Sequence, residues 1–346
     1  MTNIKSLKEE LDILSLNRKI SPVKKLKHNM DLAVKVLRNE NPIIRPYDRN
    51  DKPGGLLVLD SEIPVVLVPD LHARRNFLRE VINWLTPNGE TVLERLMDHS
   101  LQLLCLGDGF HAEKREYFRW VSSFEEFQNN YKRHKNMDLE MSESFGLMEM
   151  IMILKREFAD HFHFLKGNHE NIRNEEGAGN HPFGKFVYEG EMVKQWVLRF
   201  QGQEFLDAYA EFEYLFPYMA VGNNFMASHA EPLEYYFSDE VINIDGDDEL
   251  KLGLTWTRND QAKTGSVQKF LKEYGKEFNR TLDYYIGGHR TISTRYNLRA
   301  QGKYVQIHNP DRMQIFYSNP EKSADPETDV IDIEKKGAAK DGPYTN

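Results

Sequence analysis

Short apolar runs alternate with longer amphipathic segments along most of the chain. The runs are rich in Val, Ile, Leu and Phe, as buried strands are, and they lie at 56–59, 65–68, 101–106, 161–165, 225–228 and 283–286. After several of them, apolar residues recur with helical spacing, which predicts helices such as 77–85 and 267–278. This succession of strand, loop and helix indicates an α/β protein.

The two ends of the chain differ from its middle. Residues 1–50 are charged and helical in pattern, and Ser21-Pro22 favours a helix start. The helix that follows would share one apolar face among Val23, Leu26, Met30, Ala33 and Leu37. It could be a partner-binding or regulatory arm, but the pattern favours a helix packed on the outside of the domain. We expect an N-terminal helical extension at 1–50, a main domain at 51–318 closing with a hairpin of 304–307 and 313–316, and a disordered polar tail at 319–346.

Composition and charge narrow the class of protein. The chain has 346 residues, 40% of them hydrophobic, which is enough for a sizeable core. Its net charge of −9 argues against nucleic acid as a partner. The only cysteine, Cys105, lies in an apolar run and is expected to be a buried hydrophobe, so a reducing, cytoplasmic setting is predicted. The first residues lack the apolar core of a signal peptide and no apolar run approaches a membrane span, so no membrane association is expected.

Candidate chemistry follows the apolar runs. Five times, a run of strand character ends in a residue able to bind a metal: Asp70 with His72, Asp108, Asn168 with His169, His229, and His289. Because an α/β sheet presents its functional groups at the carboxyl ends of its strands, we expect these side chains to meet at one edge. Carboxylate oxygens and imidazole nitrogens bind divalent metals, and five such strand ends are what a dinuclear site needs.

The ordered motifs resemble those of the calcineurin-like metallophosphoesterase superfamily. They are Asp-x-His, Gly-Asp, Gly-Asn-His-Glu, a strand-end His and Gly-His, and they cover roughly residues 56–318. The most specific is 167–170, while Lys166, His229 and Trp256 favour the branch of the Ser/Thr protein phosphatases and dinucleotide polyphosphate hydrolases. The resemblance implies an α/β fold in which a two-sheet β-sandwich is flanked by helices.

The same resemblance implies a role for each matched residue. Asp70 and His72 would bind a first metal ion and Asp108 would bridge two ions. A second ion would be bound by Asn168, His229 and His289. His169 would not bind metal but would stabilise charge or protonate the leaving group. A metal-bridging hydroxide would attack phosphorus directly, without a phosphoenzyme. Mn²⁺ is the first expectation for the two divalent ions, with Fe, Zn or Ni as alternatives.

Three positions depart from the family pattern. His111 and Ala112 stand where the family's protein phosphatases carry an Asp that orients the catalytic His and an Arg that grips phosphate. Glu113 could replace that Asp, whereas His111 could contact substrate, bind metal or be structural. Candidates to replace the Arg are Lys166, Arg290, Arg115 and Arg74. Thr291 stands where many diesterases of the superfamily have a second ligand His, which leaves the first metal with three protein ligands and water.

The residues therefore predict a metal-dependent phosphoesterase that acts on phosphomonoesters. The substrate class stays open among small molecules, nucleotides and phosphoproteins. An alternative is a nucleotide pyrophosphohydrolase of the dinucleotide-polyphosphate type, with a nucleoside pocket built from the aromatic segments 110–131 and 175–215. A catalytically silent metal-binding scaffold is less favoured, because every ligand position and His169 are filled. The oligomeric state is not predicted.

Overall fold

Two β-sheets lie face to face between layers of helices in the computed structural model, which describes residues 3–333. Its strands are β1 Leu56–Val58, β2 Val65–Val68, β3 Gln102–Cys105, β4 Phe162–Phe164, β5 Met219–Val221, β6 Phe225–Ser228, β7 Tyr284–Gly287, β8 Asn297–Arg299, β9 Tyr304–Gln306, β10 Gln314–Ser318 and β11 Val330–Asp332. Its helices are α1 Ile4–Leu16, α2 Val23–Leu37, α3 Arg75–Asn83, α4 Val92–Met97, α5 Tyr117–Gln128, α6 Lys135–Glu157, α7 Glu189–Phe200, α8 Gln203–Tyr214, α9 Ser238–Ile242, α10 Asp248–Thr255, α11 Ser266–Glu277 and α12 Pro326–Asp329. The predicted fold class is confirmed.

The sheet topology brings the carboxyl ends of six strands together. One sheet has the order β11-β10-β2-β3-β4, and in it β2, β3 and β4 are parallel neighbours. The other has the order β1-β5-β6-β7-β9-β8, and in it β6, β7 and β9 are parallel neighbours. Each sheet therefore directs three consecutive strands to one edge, where the loops that follow them can build a common site.

The strands are apolar on both faces because both faces are covered. In β2, Val66 and Val68 belong to the cluster packed by helices, whereas Val65 and Leu67 belong to the cluster between the two sheets. This alternation follows from the two-residue period of a strand. Burial on both faces explains why the sequence shows continuous apolar runs instead of alternation.

The N-terminal helices share the core of the main domain. Leu11 of α1 and Met30 of α2 are fully buried in the same cluster as Leu78 of α3 and Met150 of α6. The predicted apolar face of α2 is buried except at Val23. The helices α1 and α2 are thus packed against the domain, as the pattern favours.

Two sequence predictions about the end of the chain are wrong. The runs 304–307 and 313–316 do not form a hairpin, because β9 pairs with β7 and β8 while β10 pairs with β2 and β11 in the other sheet. Strand periodicity identifies a strand but does not choose its partner. Part of the predicted disordered tail is also ordered, since 319–333 contains α12 and the edge strand β11. The rest, 334–346, lies outside the described residues.

The described helices and the single cysteine were both subjects of sequence predictions. Within residues 3–333, no helix has both the length and the apolar character needed to cross a bilayer. Cys105 is buried in β3, and its burial raises the pKa of the thiol. The side chain therefore behaves as the small hydrophobe that its apolar run predicts.

A cluster of buried ion pairs joins the segment after α2 to α6. Glu40, which follows α2, forms ion pairs with Arg45 and with Lys155 of α6, and all three are almost fully buried. Burial alone would raise the pKa of Glu40, but the positive charges of Lys155 and Arg45 outweigh burial and hold it well below its usual range. A carboxyl with a lowered folded pKa stabilises the fold above its unfolded pKa, and this contribution declines as the pH falls.

We predict that Glu40→Gln lowers the free energy of unfolding at pH 7 by about 3 kcal/mol, because it leaves buried cations without a charged partner. The difference from wild type should keep its full size above the unfolded carboxyl pKa of about 4.3 and should narrow only as the pH falls below it. Urea unfolding at pH 7 and at about pH 3 checks both points. Glu204→Gln, at an exposed pair with Lys27, is the matched control and should change little. An equal difference in unfolding free energy between wild type and Glu40→Gln at the two pH values would contradict the lowered pKa of Glu40.

Candidate metal centre

The predicted ligands lie where the six converging strands end. Asp70 and His72 follow β2, Asp108 follows β3, and Asn168 with His169 follows β4. His229 follows β6 and His289 follows β7 in the other sheet. All of these side chains are buried apart from His289, which is half-buried. The structure thus brings together every metal ligand that the sequence predicts.

The first group of donors surrounds one point. His72 Nε2 lies 3.9 Å from Asp70 Oδ2 and 3.6 Å from Asp108 Oδ2. Donor atoms bound to one ion at about 2.1 Å are separated by about 3–4 Å. The spacing is therefore compatible with a single ion between the three side chains.

The second group shares Asp108 with the first. His229 Nε2 lies 3.4 Å from Asp108 Oδ2 and 2.9 Å from Asn168 Oδ1. Asn168 Oδ1 is also 2.8 Å from His289 Nδ1. Asp108 consequently stands between two sets of donors, which is the position that a bridging carboxylate occupies.

Backbone strain concentrates at these loops. The φ angles of His72, Asp108 and His289 are 41°, 50° and 61°, in the left-handed region that side chains rarely adopt. Each such residue costs about 1–3 kcal/mol, and such strain persists where the surrounding structure over-determines it. Gly288 is required for a related reason, because a Cβ at this position would lie 1.8 Å from Asp70 Oδ1. The backbone of these loops therefore adopts unfavourable conformations that place the donor atoms, and these conformations lower the local stability.

Hydrogen bonds to backbone carbonyls orient two of the imidazoles. His72 Nδ1 lies 3.0 Å from the carbonyl oxygen of His111, and His229 Nδ1 lies 2.9 Å from that of Leu106. When Nδ1 carries the proton and donates it to a carbonyl, Nε2 is left with a free lone pair. In both residues this nitrogen faces the carboxylates.

Glu170 ties the loops after β3 and β4 together. Its buried carboxylate accepts hydrogen bonds from the backbone N–H groups of Asp108 (3.0 Å), Gly109 (2.8 Å) and Gly167 (2.7 Å). Burial and the nearby Asp108 charge raise the pKa of Glu170 to about 7. The last residue of Gly-Asn-His-Glu is therefore a positioning group for the ligand loops.

The electrostatics of the site favour bound cations. Burial would lower the pKa of His229, but the adjacent Asp108 carboxylate raises it to about 10. Asp108 in turn has its pKa held well below the usual range, because neighbouring imidazoles outweigh its burial. Positive charge is thus strongly favoured beside Asp108, and divalent ions supply it. The buried Nε2 of His289 also has no hydrogen-bond partner among the described residues. The donor set fits two divalent metal ions.

His111 contacts His169 instead of facing the substrate side. Their Nδ1 atoms are 3.1 Å apart, and the ring of Phe183 stacks on His111 at 5.0 Å. Burial lowers the pKa of His111 to about 3, so this imidazole is neutral and one ring donates a proton to the other. His111 therefore contacts His169 directly, and its ring also packs against Phe183. His169 Nε2 points towards Asp108 Oδ2 at 3.8 Å.

The proposed replacements for the missing Asp-Arg pair fall in different places. The carboxylate of Glu113 lies beside His72, His308 and Lys185. The Nδ1 atom of His169 faces His111 instead, so the predicted contact between Glu113 and His169 is not the one that the structure shows.

Most of the predicted phosphate-binding cations do not reach the substrate side. Lys166 is buried and donates to the carbonyl oxygen of Glu170 at 2.7 Å, while Arg74 donates to the carbonyl oxygen of Asp70 at 2.8 Å. Arg115 forms an ion pair with Glu143 at 2.7 Å. Arg290 does line the open side of the site and is exposed. Spacing along the chain could not show which of these side chains point outward.

An open cleft of about 490 Å³ lies over the donors. Its walls carry Phe183, Lys185, Trp256 and Arg290, and its base includes His169. The cleft is thus lined by two aromatic rings and two cations beside the metal-binding groups.

His308 is a site residue that the motif analysis missed. It follows β9, is fully buried, and places Nε2 3.8 Å from Asp70 Oδ2. Together with Asp70 and His72 it forms a set of donors that could hold one ion. The signal was present in the sequence, because the run 304–307 also ends in a histidine.

Comparison with known proteins agrees with this geometry. The model of the calcineurin-like phosphoesterase family matches residues 63–291, more than half of the chain. The protein belongs to this family, whose members are phosphoesterases. A comparison with curated proteins gave no match.

One solved structure of low sequence identity shares the fold, and a second is less similar. A protein serine/threonine phosphatase from Saccharomyces cerevisiae with similarity to human phosphatase PP5 is 14% identical, with 98% of each chain covered and a TM-score of 0.59. A cold-active protein-tyrosine phosphatase of a psychrophilic Shewanella is 12% identical, with 77% of this chain and 78% of that chain covered and a TM-score of 0.44. The first likeness supports the two-sheet architecture.

We predict that His111→Phe lowers kcat by about 10–100-fold, the usual effect of removing an orienting partner. Phe fills the space but cannot hydrogen-bond to His169. His111→Asn, which keeps a polar group near Nδ1, should recover much of the loss. Steady-state kinetics with metal content measured in parallel checks this. Equal activity of the two variants, both with full metal content, would contradict the orienting role.

Proposed function

We propose that the protein is a dinuclear metal-dependent phosphatase that hydrolyses phosphomonoesters by direct attack of water on phosphorus. The observation that carries the proposal is the pair of donor groups that share Asp108 at the base of the cleft, with His169 beside them. Two divalent ions bound there would supply positive charge and an acidified nucleophilic water. The remaining chemistry rests on side chains of this chain.

The proposed ligands leave the metal centre with a net positive charge, which attracts a phosphate group. Asp70 and Asp108 would return two negative charges against the four positive charges of two divalent ions, so the site keeps a net positive charge. Arg290, which lines the cleft and is exposed, adds a further positive charge there. A phosphomonoester dianion is attracted more strongly than a diester monoanion by such a field, which favours the monoester.

We infer that His169 acts on the leaving group. Its Nε2 faces the centre, and Nδ1 is held by His111. A proton held at Nε2 could pass to the departing oxygen or stabilise the charge that develops on it. Its pKa lies well below the ordinary value because of burial. Bound substrate, with its negative charge, would favour the protonated ring.

The metal itself is proposed from the donor chemistry. Carboxylate, amide and imidazole donors suit Mn²⁺, which is the first metal to test, and Fe, Zn or Ni fit the same set. The cytoplasmic location stays a prediction from the lone, buried Cys105.

A nucleotide pyrophosphohydrolase is the second candidate. Phe183 and Trp256 line the cleft and offer flat faces to a base. The aromatic residues of 110–131 do not contribute among the described lining residues, and Trp120, for example, is buried with its indole N–H bound to the carbonyl of Ala112. The nucleoside pocket would therefore rest on Phe183 and Trp256.

We predict that metal-stripped protein hydrolyses p-nitrophenyl phosphate once Mn²⁺ is restored, and that it hydrolyses the bis-ester much more slowly. Asp108→Asn should lower the monoester rate by more than about 100-fold, because even outer partners of a metal ligand can be worth that much. Initial rates at matched metal content provide the measurement. Activity on the bis-ester alone would overturn the monoester proposal. Activity confined to dinucleotide polyphosphates would favour the second candidate. If the protein binds two ions but hydrolyses none of these esters, the catalytically silent metal-binding scaffold would become the favoured hypothesis.

We predict that His169→Gln lowers kcat by about 10²–10⁴-fold while both ions stay bound, because general acid catalysis is worth that much. The loss should be greater with phenyl phosphate than with p-nitrophenyl phosphate, since the poorer leaving group depends more on a proton. Rates on both esters with metal analysis test the role. An equal loss on the two esters would contradict proton donation to the leaving group.

A further inference from the structure

The first metal position has two more donors than the sequence motifs assign to it. His308 Nε2 lies 3.8 Å from Asp70 Oδ2 and 3.1 Å from Glu113 Oε2. Glu113 Oε1 in turn lies 3.7 Å from His72 Nε2. These separations match those among Asp70, His72 and Asp108, which fit a single ion.

We propose that His308 is a fourth protein ligand of the first metal ion and that Glu113 supplies a fifth donor to the same ion. This inference rests on the dinuclear centre proposed above. It replaces the expectation of three protein ligands and water, and it gives a role to two residues outside the family motifs.

The fold delivers His308 from a neighbouring strand. β9 is parallel to β7, so His308 emerges beside the loop that carries His289. Backbone hydrogen bonds fix it, from Ile307 N–H to the carbonyl of Gly287 (3.0 Å) and from Ile292 N–H to the carbonyl of His308 itself (2.9 Å). Thr291, which stands at the usual position of a second ligand histidine, is exposed. The imidazole thus comes from the adjacent strand instead of the same loop.

The burial of His308 and Glu113 favours a role as metal ligands over a role in hydrogen bonds at the protein surface. His308 is fully buried, and its Nδ1 has no partner among the described residues. The Glu113 side chain is 12% exposed, and the cation that pairs with it, Lys185, lies 3.1 Å away on the cleft side. Two imidazoles and two carboxylates facing one small volume make a set of donors typical of a divalent metal site.

The inference also changes the charge of the centre. With Glu113 included, three carboxylates would offset three of the four positive charges of two divalent ions. The first ion would be surrounded by five protein donors and the second by four, counting Asp108 in both. We therefore expect the first ion to depend on His308 and the second to be independent of it.

The test is metal binding by the full chain, measured without a turnover assay. Chelator-stripped protein is titrated with Mn²⁺ by calorimetry, and bound metal is counted by elemental analysis after dialysis. His308→Gln should weaken one of two ions by about 10–100-fold or more and leave the other within about threefold. Glu113→Gln should weaken the same ion by about 10-fold. His163→Gln, at a buried histidine outside the site, controls for general loss of packing.

Double variants identify which ion is affected. If His308 and His72 serve the same ion, His72→Gln combined with His308→Gln still binds one ion per chain. His229→Gln combined with His308→Gln should bind none tightly. If His308→Gln binds two ions as tightly as wild type does, the inference is wrong. It is also wrong if His308→Gln weakens both ions equally, because that is the result expected from a general loss of packing, for which His163→Gln is the control. If His308→Gln does not fold, His308→Asn and Glu113→Gln decide by the same criteria. Fewer than two ions in wild type would instead refute the proposed dinuclear centre.

Discussion

The buried carboxylate of Asp108 is the interaction on which the rest of the site depends. It is almost fully buried and lies within 4 Å of an imidazole from its own sheet, His72, and of one from the opposite sheet, His229. An isolated carboxylate in such a place would be strongly destabilising, so the fold must surround it with positive charge or bound cations. Both sheets must therefore hold their strand ends in fixed relation, because a shift of either would remove one side of this compensation.

Rigid packing is what allows the ligand loops to stay strained. Four of the site residues, His72, Asp108, His111 and His289, have left-handed backbone angles, and Gly288 passes Asp70 too closely for any side chain. Such conformations persist only above a well-packed support, which the intersheet cluster and the helical layers supply. Glu170 adds a direct link, because one carboxylate accepts from the backbone of both loops that carry Asp108 and Asn168. The stability of the core and the geometry of the site are therefore coupled.

The chain departs from the family pattern at one side of the centre, and the structure shows what stands in the vacated places. His111 lies beside His169, so a neutral imidazole stands at a position where the family's protein phosphatases carry a carboxylate. Glu113 faces His72 and His308, which brings its negative charge towards the first metal position.

The sequence by itself determined the apolar strands, the amphipathic helices and the motif residues at the strand ends, since these follow from local periodicity and from motifs of a few adjacent residues. The family and the two-sheet fold, predicted from those motifs, are confirmed. Only the tertiary structure decided which sheet each strand joins, as the separation of β9 from β10 shows. It alone decided the direction of side chains, so that Lys166 is buried, Glu113 faces His308, and His308 reaches Asp70. The physical reason is that contacts between residues far apart in the sequence, such as Asp70 with His308 or Glu113 with His308, depend on strand pairing, which local patterns do not encode.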